Sequence, residues 1–490
     1  MPTTDMLHQP YGSTMGPMII VTAAAFVVMI LEFLLRKGDR RWLAGLSLVG
    51  IAAALVAALW NFHHEPAIAL NTVVVDAFGS VFSVLILISA LFVLLFTLDY
   101  TGRTKVASEH TYLILFAVVG ALAMATAVDL VTLYVGLELL SVASYVLVAL
   151  RRHSARSVEG GVKYLLMGSV GSAVLLYGMS FVYGISGTTN LIELGSNGFA
   201  MYNNYPAITV LAFLLMLAGM GFKLSLVPFH MWTPDAYDGA PSPISAFLAT
   251  LSKAAAFGML LRMLLFAFNA AATQLFWWAG VLAAVTMVVG NLIALPQRNM
   301  KRLLAFSSVA QAGYVLVPFA LIQTNHFNDW PGLFDSISFY LYAYTFMTIG
   351  AFAVVYVVSR ARNTIDSDAL IGLYQRSPWL AAALTVFVLG LAGMPLTGGF
   401  IGKFYIFTDT VHLHRAWLGV LLFLTSVASF YYYLGWVRKI FQREPVGDIE
   451  PIRASGTMNV LVGLCVLGTI VLGVVPAVLL HPLLNSGWLY

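Results

Sequence analysis

Long apolar runs separated by short polar segments repeat along the whole of this sequence. A helix needs about 20 consecutive apolar residues to cross the ~30 Å hydrocarbon core of a bilayer. Only Asp129 separates the fourth run from the fifth, so thirteen is the alternative count to fourteen. The runs lie at about 15–35, 42–60, 77–98, 111–128, 130–150, 162–184, 207–228, 244–268, 276–295, 303–323, 335–358, 379–410, 415–437 and 457–480. The pattern predicts an all-α membrane protein with about 14 transmembrane helices.

Two of the predicted helices are interrupted by residues that break helical structure. The first interruption follows the seventh run and contains Pro228, Pro234, Gly239, Pro241 and Pro243. The second lies inside the twelfth run, where GLAGMPLTGGFIGK ends at position 403. Proline removes a backbone donor, and glycine favours non-helical backbone. We therefore predict that helices 7 and 12 are discontinuous.

The two interruptions lie five spans apart. Equivalent helices separated by an odd number of spans cross the membrane in opposite directions, and paired broken helices of this kind are typical of transporters with inverted repeats. The spacing predicts two inverted five-helix repeats, helices 4–8 and helices 9–13. It divides the chain into helices 1–3 at 1–110, the first repeat at 111–268, the second repeat at 276–440 and helix 14 at 457–480.

The composition supports a membrane protein and excludes several kinds of site. Hydrophobic residues make up 60% of the 490 residues and charged residues 9%. Cys465 is the only cysteine, which excludes a disulfide framework, an iron–sulfur cluster and a four-cysteine zinc site within the chain. The first apolar run lacks a basic lead-in, so we expect a membrane span there and no cleavable signal peptide. No glycine-rich run has the context of a nucleotide-binding loop, and we expect no cofactor and no nucleic acid to bind this chain.

The basic residues are concentrated in alternate loops. Cytoplasmic loops of membrane proteins carry an excess of lysine and arginine. The opposite loops hold only Arg415, so both termini are predicted to face outward from a bacterial plasma membrane or an equivalent energy-transducing membrane. Nineteen of the 25 basic residues fall in the loops that this rule places in the cytoplasm: Arg36, Lys37, Arg40, Arg41, Arg103, Lys105, Arg151, Arg152, Arg156, Arg298, Lys301, Arg302, Arg360, Arg362, Arg376, Arg438, Lys439, Arg443 and Arg453.

The remaining five basic residues lie within predicted spans: Lys163, Lys223, Lys253, Arg262 and Lys403. A charged side chain at membrane depth costs a few kcal/mol or more, so it is retained where it is paired, hydrated or used. Glu138 lies eight residues into its helix, about 12 Å from the start at 1.5 Å per residue. Its expected partner is Lys223 or Lys253. We interpret the carboxylate and these lysines as a proton switch, and a static buried ion pair is the alternative.

Other candidate groups have more than one interpretation. Apolar residues flank Lys403, which argues against a side chain that reaches for the outer interface. Lys163 follows Glu159 by four residues, so a plain interfacial pair is as reasonable as a relay role. His230 in the first interruption is a candidate proton entry group or a structural hydrogen-bonding group. Arg262 stays charged at physiological pH, which favours a counter-ion or a lipid contact over a proton carrier.

Four stretches carry a resemblance to a known family. They are GFKLSLVPFHMWTPDAYDGAPSPISAFLATLSKAAAF, NMKRLLAFSSVAQAGY, YAYTFMTIGAFAVV and GMPLTGGFIGKFYIF. Together they resemble the antiporter-like subunits of respiratory complex I, the proton-pumping NADH:quinone oxidoreductase, over nearly the whole chain. Among the three kinds of antiporter-like subunit, the chain is most similar to the N type. The M type usually has glutamate in place of Lys403, and the L type carries a long helical arm.

The resemblance implies roles for particular residues. Glu138 and Lys223 correspond to a glutamate–lysine pair near the input half-channel, Lys253 to a central lysine and Lys403 to a terminal lysine. Lys163 and His230 correspond to secondary polar positions. One departure concerns the tenth span, where several members carry tyrosine and histidine and this chain has Phe306 and Gln311. With those residues, we expect water to bridge Lys253 and Lys403.

The function implied is a proton-translocating membrane subunit of a quinone-reducing NADH dehydrogenase complex. The quinone, the electron donor and every redox centre would then reside in other subunits, and the partners would be the other membrane-arm subunits and the lipid bilayer. The alternatives are a D-type subunit of a multisubunit sodium/proton antiporter, a stand-alone secondary transporter, and a structural membrane anchor. Neighbouring genes distinguish the complex I subunit from the D-type antiporter subunit, since they encode redox subunits in the first case and small antiporter subunits in the second. Proton pumping by a Lys253 variant tests the structural anchor.

Overall fold

The computed structural model describes residues 15–34, 41–62, 66–103, 109–323, 329–443 and 450–484. Both chain termini lie outside these ranges. So do four of the basic residues assigned to cytoplasmic loops, Arg36, Lys37, Arg40 and Lys105.

The N-terminal part of the described chain contains three long helices and one short hairpin. The helices are α1 (Gly16–Leu34), α2 (Arg41–Asn61) and α3 (Ala77–Arg103). Strands β1 (Ala67–Ala69) and β2 (Val73–Val75) pair antiparallel before α3. The apolar pattern predicted no strands. The hairpin forms because Leu70 and Asn71 adopt positive φ angles of 54° and 57°, the conformation of a tight hairpin turn.

The next segment contains the helices of the predicted first repeat. They are α4 (Glu109–Thr126), α5 (Leu130–Ala149), α6 (Ala155–Ser186), α7 (Leu191–Asn204), α8 (Pro206–Leu224), α9 (Thr233–Gly239), α10 (Ser242–Ala249) and α11 (Leu251–Phe268). Helix α7 is an addition that the span pattern missed. Asn190 caps it by accepting hydrogen bonds from the backbone nitrogens of Ile192 and Glu193.

The remaining helices follow a 3₁₀ turn at Asn269–Ala271. They are α12 (Ala272–Leu275), α13 (Trp277–Ala294), α14 (Met300–Leu321), α15 (Trp330–Arg362), a 3₁₀ turn (Ser367–Leu370), α16 (Leu373–Arg376), α17 (Pro378–Ala392), α18 (Gly398–His412), α19 (Ala416–Phe441), α20 (Gly456–Val474) and α21 (Ala477–Leu484). Helix α14 is the centre of this half, since every residue from Leu303 to Leu321 is buried.

The described residues include 13 helices that are long and apolar enough to cross a membrane. The two 15-residue halves α17 and α18 form the predicted twelfth helix. The predicted all-α membrane fold with about 14 spans is therefore confirmed. Both predicted interruptions are present, because α8 stops at Leu224 and α17 stops at Ala392.

The two predicted repeats share an order of elements. In each set the third helix is the longest, with 32 residues in α6 and 33 in α15. In each set the fourth helix is broken. The inverted relation of the two sets, and the division of the chain into four segments, remain predictions.

Loops that were assigned to the cytoplasmic side contact one another. Ser367 donates its backbone N–H to the carbonyl of Arg298, and Gly372 donates to the carbonyl of Lys439. Arg152 forms an ion pair of 3.3 Å with Glu109. These loops therefore lie at the same end of the helix bundle, and the assignment of that end to the cytoplasm remains a prediction.

Candidate functional site

Three lysines of the predicted site lie inside the helix bundle. The exposed fractions of Lys223, Lys253 and Lys403 are 4%, 2% and 5%. Each ammonium nitrogen donates hydrogen bonds to protein oxygens, so each has a definite position. The interpretation of Lys403 as a side chain that extends to the outer interface is excluded by its burial.

Lys223 lies in the last turn of α8, directly before the first interruption. Its Nζ donates to Ser141 Oγ at 3.0 Å and to the hydroxyl of Tyr164 at 3.1 Å. Tyr164 is fully buried and stacks on Trp232, with 4.2 Å between the ring centres. The Trp232 indole donates to the carbonyl of Phe222, one residue before Lys223. The aromatic stack therefore holds the end of α8 against α6.

Glu138 lies in the middle of α5 and is half-buried. It makes no direct ion pair with a lysine in the described part of the chain, in contrast to the expectation from sequence. Ser141, three residues later on the same helix, accepts the hydrogen bond from Lys223 instead. Residues three apart lie on the same face of a helix, so Glu138 lies one turn from Ser141, which binds the Lys223 amine.

Lys253 is the third residue of α11, which begins after an irregular residue, Thr250, at the end of α10. Its Nζ donates to the backbone carbonyl of Ser308 in α14. A neutral amine keeps two N–H groups and a charged one has three. Lys253 can therefore make this hydrogen bond in either protonation state.

Lys403 lies in α18 and donates to the last carbonyls of α17, at 2.9 Å from Leu391 and 3.0 Å from Ala392. The final carbonyls of a helix have no partner within it and carry partial negative charge. The amine thus satisfies them across the second interruption. Its Nζ also lies 4.7 Å from the centre of the Tyr314 ring.

Gln311 connects the surroundings of Lys253 and Lys403. It lies one turn after Ser308 on α14, and its Nε2 donates to the carbonyl of Leu391 at 3.0 Å. Its Oε1 accepts a hydrogen bond from Tyr340. Gln311 and Lys403 therefore share one acceptor. We expected water to bridge the two lysines at this position, and the structure places a hydrogen-bonding side chain there.

The predicted ion pair of Lys163 with Glu159 is present at 2.6 Å, on the surface of α6. Lys163 also bonds Asp235 at 2.8 Å, and Arg302 bonds the other oxygen of Asp235 at 2.7 Å. Burial raises the pKa of Asp235, but the hydrogen bonds from Lys163 and Arg302 outweigh it and place that pKa below its ordinary value. Asp235 therefore joins α6, α9 and α14 as a carboxylate. Sequence reasoning missed it because it lies in a polar hinge.

Two basic residues that the sequence assigned to loops support the end of α9. Lys301 is buried, and its Nζ donates to the carbonyls of Asp238 and Ala240. Arg151 donates to the carbonyls of Gly239 and Ala240. These carbonyls end a short helix and have no helical partners. The proximity of Lys301 to a helix terminus is not visible in the sequence.

His230 is largely buried within the first interruption, and its ring centre lies 6.4 Å from that of Phe306. Its Nδ1 has no hydrogen-bond partner among the described residues. The choice between an entry group and a structural group therefore stays open.

Of the two interpretations of Arg262, a counter-ion or a lipid contact, the structure supports the counter-ion. Its guanidinium makes two hydrogen bonds to the carboxylate of Asp76, at 2.8 and 2.9 Å, and its Nε donates to the carbonyl of Ala125. Arg262 is buried, and Phe78 packs against it with 4.7 Å between the guanidinium carbon and the ring centre. Asp76 was not identified from sequence because it lies far from Arg262 along the chain.

The sequence of this chain matches a family of membrane proteins and several membrane subunits. Residues 127–429 match the family described as "NADH:quinone oxidoreductase/Mrp antiporter, TM". All six predicted site residues lie within that range. Two similar sequences are NADH-quinone oxidoreductase subunits N. The Geobacillus sp. protein is 41% identical over 95% of this chain and 97% of its own. The Desulfitobacterium hafniense protein is 38% identical over 97% of this chain and 98% of its own.

Solved structures show the same fold. A chain of respiratory complex I from Thermus thermophilus with bound aureothin is 31% identical, with a TM-score of 0.80 over 95% of this chain and 98% of that chain. A chain of the Mrp complex from Dietzia sp. is 19% identical, with a TM-score of 0.85 over 97% of this chain and 96% of that chain. The second likeness concerns the fold alone.

Proposed function

Because the chain belongs to the NADH:quinone oxidoreductase/Mrp antiporter transmembrane family, in its subunit N group, we propose that it translocates protons in the membrane arm of a quinone-reducing NADH dehydrogenase complex. The observation that carries this proposal is a set of three buried lysines. Lys223 and Lys403 lie at the two helix breaks, and Lys253 follows the irregular residue Thr250 between α10 and α11. Helix α14 contacts two of them, Lys253 through a carbonyl and Lys403 through its Tyr314 ring.

The cost of burying three amines supports a role in proton transfer over a purely structural role. Removing an ion from water costs several kcal/mol, and no carboxylate lies within ion-pair distance of these three amines in the described residues. Hydroxyls and carbonyls bind the amines instead. Such partners accept a hydrogen bond from a neutral amine as well as from a charged one. Each lysine can therefore gain and lose a proton with little rearrangement, which suits a carrier.

The proposed path begins at the end of the bundle that holds the basic loops. A proton reaches Lys223 beside the Tyr164 hydroxyl and passes to Lys253. It then moves past Gln311 to Lys403 and leaves on the opposite side. Movement of the Glu138 carboxylate, one turn from the Lys223 contact, changes the preference of Lys223 for a proton. Lys163 and His230 are assigned secondary roles near the entry.

The rest of the assembly is part of the same proposal. Electron transfer occurs in other subunits, which bind the electron donor, the quinone and all redox centres, and this chain contributes none. Its partners are further antiporter-like subunits, the small subunits of the quinone module and the lipids of a bacterial plasma membrane. The identity with subunits N favours this assignment over an antiporter D-type subunit, for which the Mrp likeness supports only a fold.

The test is the Lys253→Met variant in the intact complex, reconstituted in vesicles. We expect NADH-driven acidification per electron to fall by the share that this subunit carries, while the complex still assembles. Lys439→Met is the matched control, because Lys439 lies in the last turn of α19 and pairs with the exposed Asp368 at the end of the bundle. Unchanged acidification per electron in Lys253→Met would contradict proton translocation through this subunit and would favour the structural membrane anchor. Sodium-dependent proton exchange without any NADH dependence would instead indicate the antiporter subunit.

A further inference from the structure

A cavity of about 280 Å³ lies at the end of the bundle that holds the basic loops. It is formed where the end of α3 and the end of α15 meet the start of α20. Side chains from all three elements line it, among them Asp99, Tyr356, Arg360, Arg453 and Ser455. It is separate from the lysine path, since none of the candidate proton carriers lines it.

The charges in this cavity favour an anion. Arg360 and Arg453 are exposed, and neither guanidinium makes a hydrogen bond or ion pair with the residues that the structure describes. Asp99 is the acidic residue among the lining groups, and it already accepts a hydrogen bond from Ser455. Two arginines without protein partners among the described residues lie beside one hydrogen-bonded carboxylate, so the cavity is positive. Arginine binds phosphate oxygens with paired, charge-assisted hydrogen bonds.

The start of α20 adds to this preference. Ser455 caps this 19-residue helix by accepting a hydrogen bond from the backbone nitrogen of Met458. The N-terminus of a helix carries partial positive charge and attracts anions. It supplements the two arginines and would not suffice without them.

An apolar stripe runs along α20 from a point one turn beyond the cavity. Val460, Leu464 and Leu467 are exposed by 57%, 40% and 59%. Their spacing of four and three residues places them on one face of the helix. A positive cavity at the start of a membrane helix, together with an exposed apolar face on that helix, matches the two parts of a phospholipid. Basic pockets between transmembrane helices are known to bind anionic head groups.

We propose that this cavity binds the phosphate head group of an anionic phospholipid, with its acyl chains along the stripe on α20. Arg360 and Arg453 hold the phosphate, and Val460, Leu464 and Leu467 contact the hydrocarbon. The site would fix the lipid in the leaflet on the side of the basic loops. The inference needs only the membrane location of the chain and is independent of its role in proton translocation.

The experiment uses the intact complex in vesicles that contain phosphatidylglycerol with a photoreactive acyl chain. We expect cross-links on peptides that include residues 456–474. The double variant Arg360→Gln/Arg453→Gln should reduce labelling by about fivefold for each arginine. Arg438→Gln is the matched control, since Arg438 is an exposed arginine at the same end that does not line the cavity. Its labelling should equal that of the unmodified chain.

Three outcomes would overturn the proposal. Equal labelling of these peptides by a phosphatidylcholine probe would mean that charge is not recognised. Loss of labelling on addition of millimolar inorganic phosphate would assign the cavity to free phosphate. Failure of the phosphatidylglycerol probe to label α20, with cross-linking of an acidic segment of another subunit to Arg453→Cys by a short bifunctional reagent, would assign it to a protein partner. NADH-driven pumping is measured in parallel, so a defect in translocation is distinguished from loss of lipid.

Discussion

At the scale of single residues, the buried lysines differ in their hydrogen-bond acceptors. Lys223 donates to two hydroxyls, whereas Lys253 and Lys403 donate to backbone carbonyls. A hydroxyl can also donate, so Tyr164 and Ser141 can orient toward a neutral amine. A carbonyl only accepts. Lys223 is therefore the position where reorientation of its neighbours can accompany a change of charge.

Gln311→Leu tests the link between the central and terminal lysines. The change keeps approximate volume and removes the hydrogen bonds to Leu391 and Tyr340. A hydrogen bond contributes about 1 kcal/mol net, which corresponds to about a fivefold change in rate. We expect proton transfer through this subunit to slow by about this factor, so that pumping per electron in vesicles falls by at most the share that this subunit carries, with normal assembly. Wild-type pumping would mean that protons bypass α14.

Asp235→Asn tests the ion-pair network at the hinge. The pKa of Asp235 in the folded protein lies below the ordinary value of about 4. The ion pairs of Asp235 therefore stabilise the fold fully above about pH 4. This stabilisation is lost as the pH falls through the lower pKa of the folded state. We expect the thermal midpoint of the variant to lie below that of the unmodified protein at neutral pH, with the difference shrinking as the pH is lowered below about 4. Glu450→Gln serves as an exposed control. A difference that is independent of pH would contradict a charged Asp235.

At the scale of elements, both broken helices end in a left-handed residue. Helix α8 is followed by Ser225 with φ 62°, and α17 is followed by Gly393 with φ 98°. A left-handed residue turns the chain away from the helix axis, and its backbone N–H binds carbonyls of the preceding turn. At Gly393 these are the carbonyls of Leu389 and Gly390, so those of Leu391 and Ala392 remain for another donor. At the second break Lys403 is that donor. The interruption therefore creates the acceptor site for the terminal lysine.

Gly393→Ala tests this arrangement. An alanine at this φ is strained by about 1 kcal/mol, and its Cβ would lie 3.2 Å from Cδ of Lys403. We expect reduced pumping and a lower thermal midpoint, since the amine must shift from its carbonyls. Gly435→Ala in α19 is the matched control, because a Cβ there meets no atom within 4 Å. Equal behaviour of the two variants would show that Lys403 does not need the tight turn.

At the scale of the whole molecule, one buried ion pair joins distant parts of the chain. Asp76 precedes α3, Arg262 belongs to α11, and the carbonyl of Ala125 ends α4. The predicted N-terminal helices and the predicted first repeat are thereby tied together on the helix that carries Lys253. The pair fixes that helix nine residues after Lys253.

Arg262→Met removes one partner and leaves the Asp76 carboxylate buried. Breaking a buried pair in this way costs about 3–5 kcal/mol, whereas replacing both charges by apolar groups is often neutral. We expect less subunit in membranes and a lower thermal midpoint for Arg262→Met. The double variant Asp76→Leu/Arg262→Met should recover most of the loss. A double variant as unstable as the single one would assign the effect to lost packing against Phe78.

Much of this protein could be predicted from its residues in order. The apolar runs predicted the spans because each helix must satisfy its own backbone in the bilayer, which makes the pattern local. Proline and glycine clusters located both breaks for the same reason. The candidate residues Lys223, Lys253 and Lys403 were found because charge is rare inside apolar runs. The short hairpin and α7 were missed, since their segments lie between spans where hydropathy carries little information.

The sequence by itself determined which residues are titratable at membrane depth and where the helices break, because both depend on a residue and its immediate neighbours. Only the tertiary structure decided their partners: Ser141 and Tyr164 for Lys223, and the carbonyl of Leu391 for both Gln311 and Lys403. Hydrogen bonds and ion pairs act over a few ångströms in space. They join residues tens or hundreds of positions apart, as Asp76 and Arg262 are, and no local pattern in the chain records that proximity.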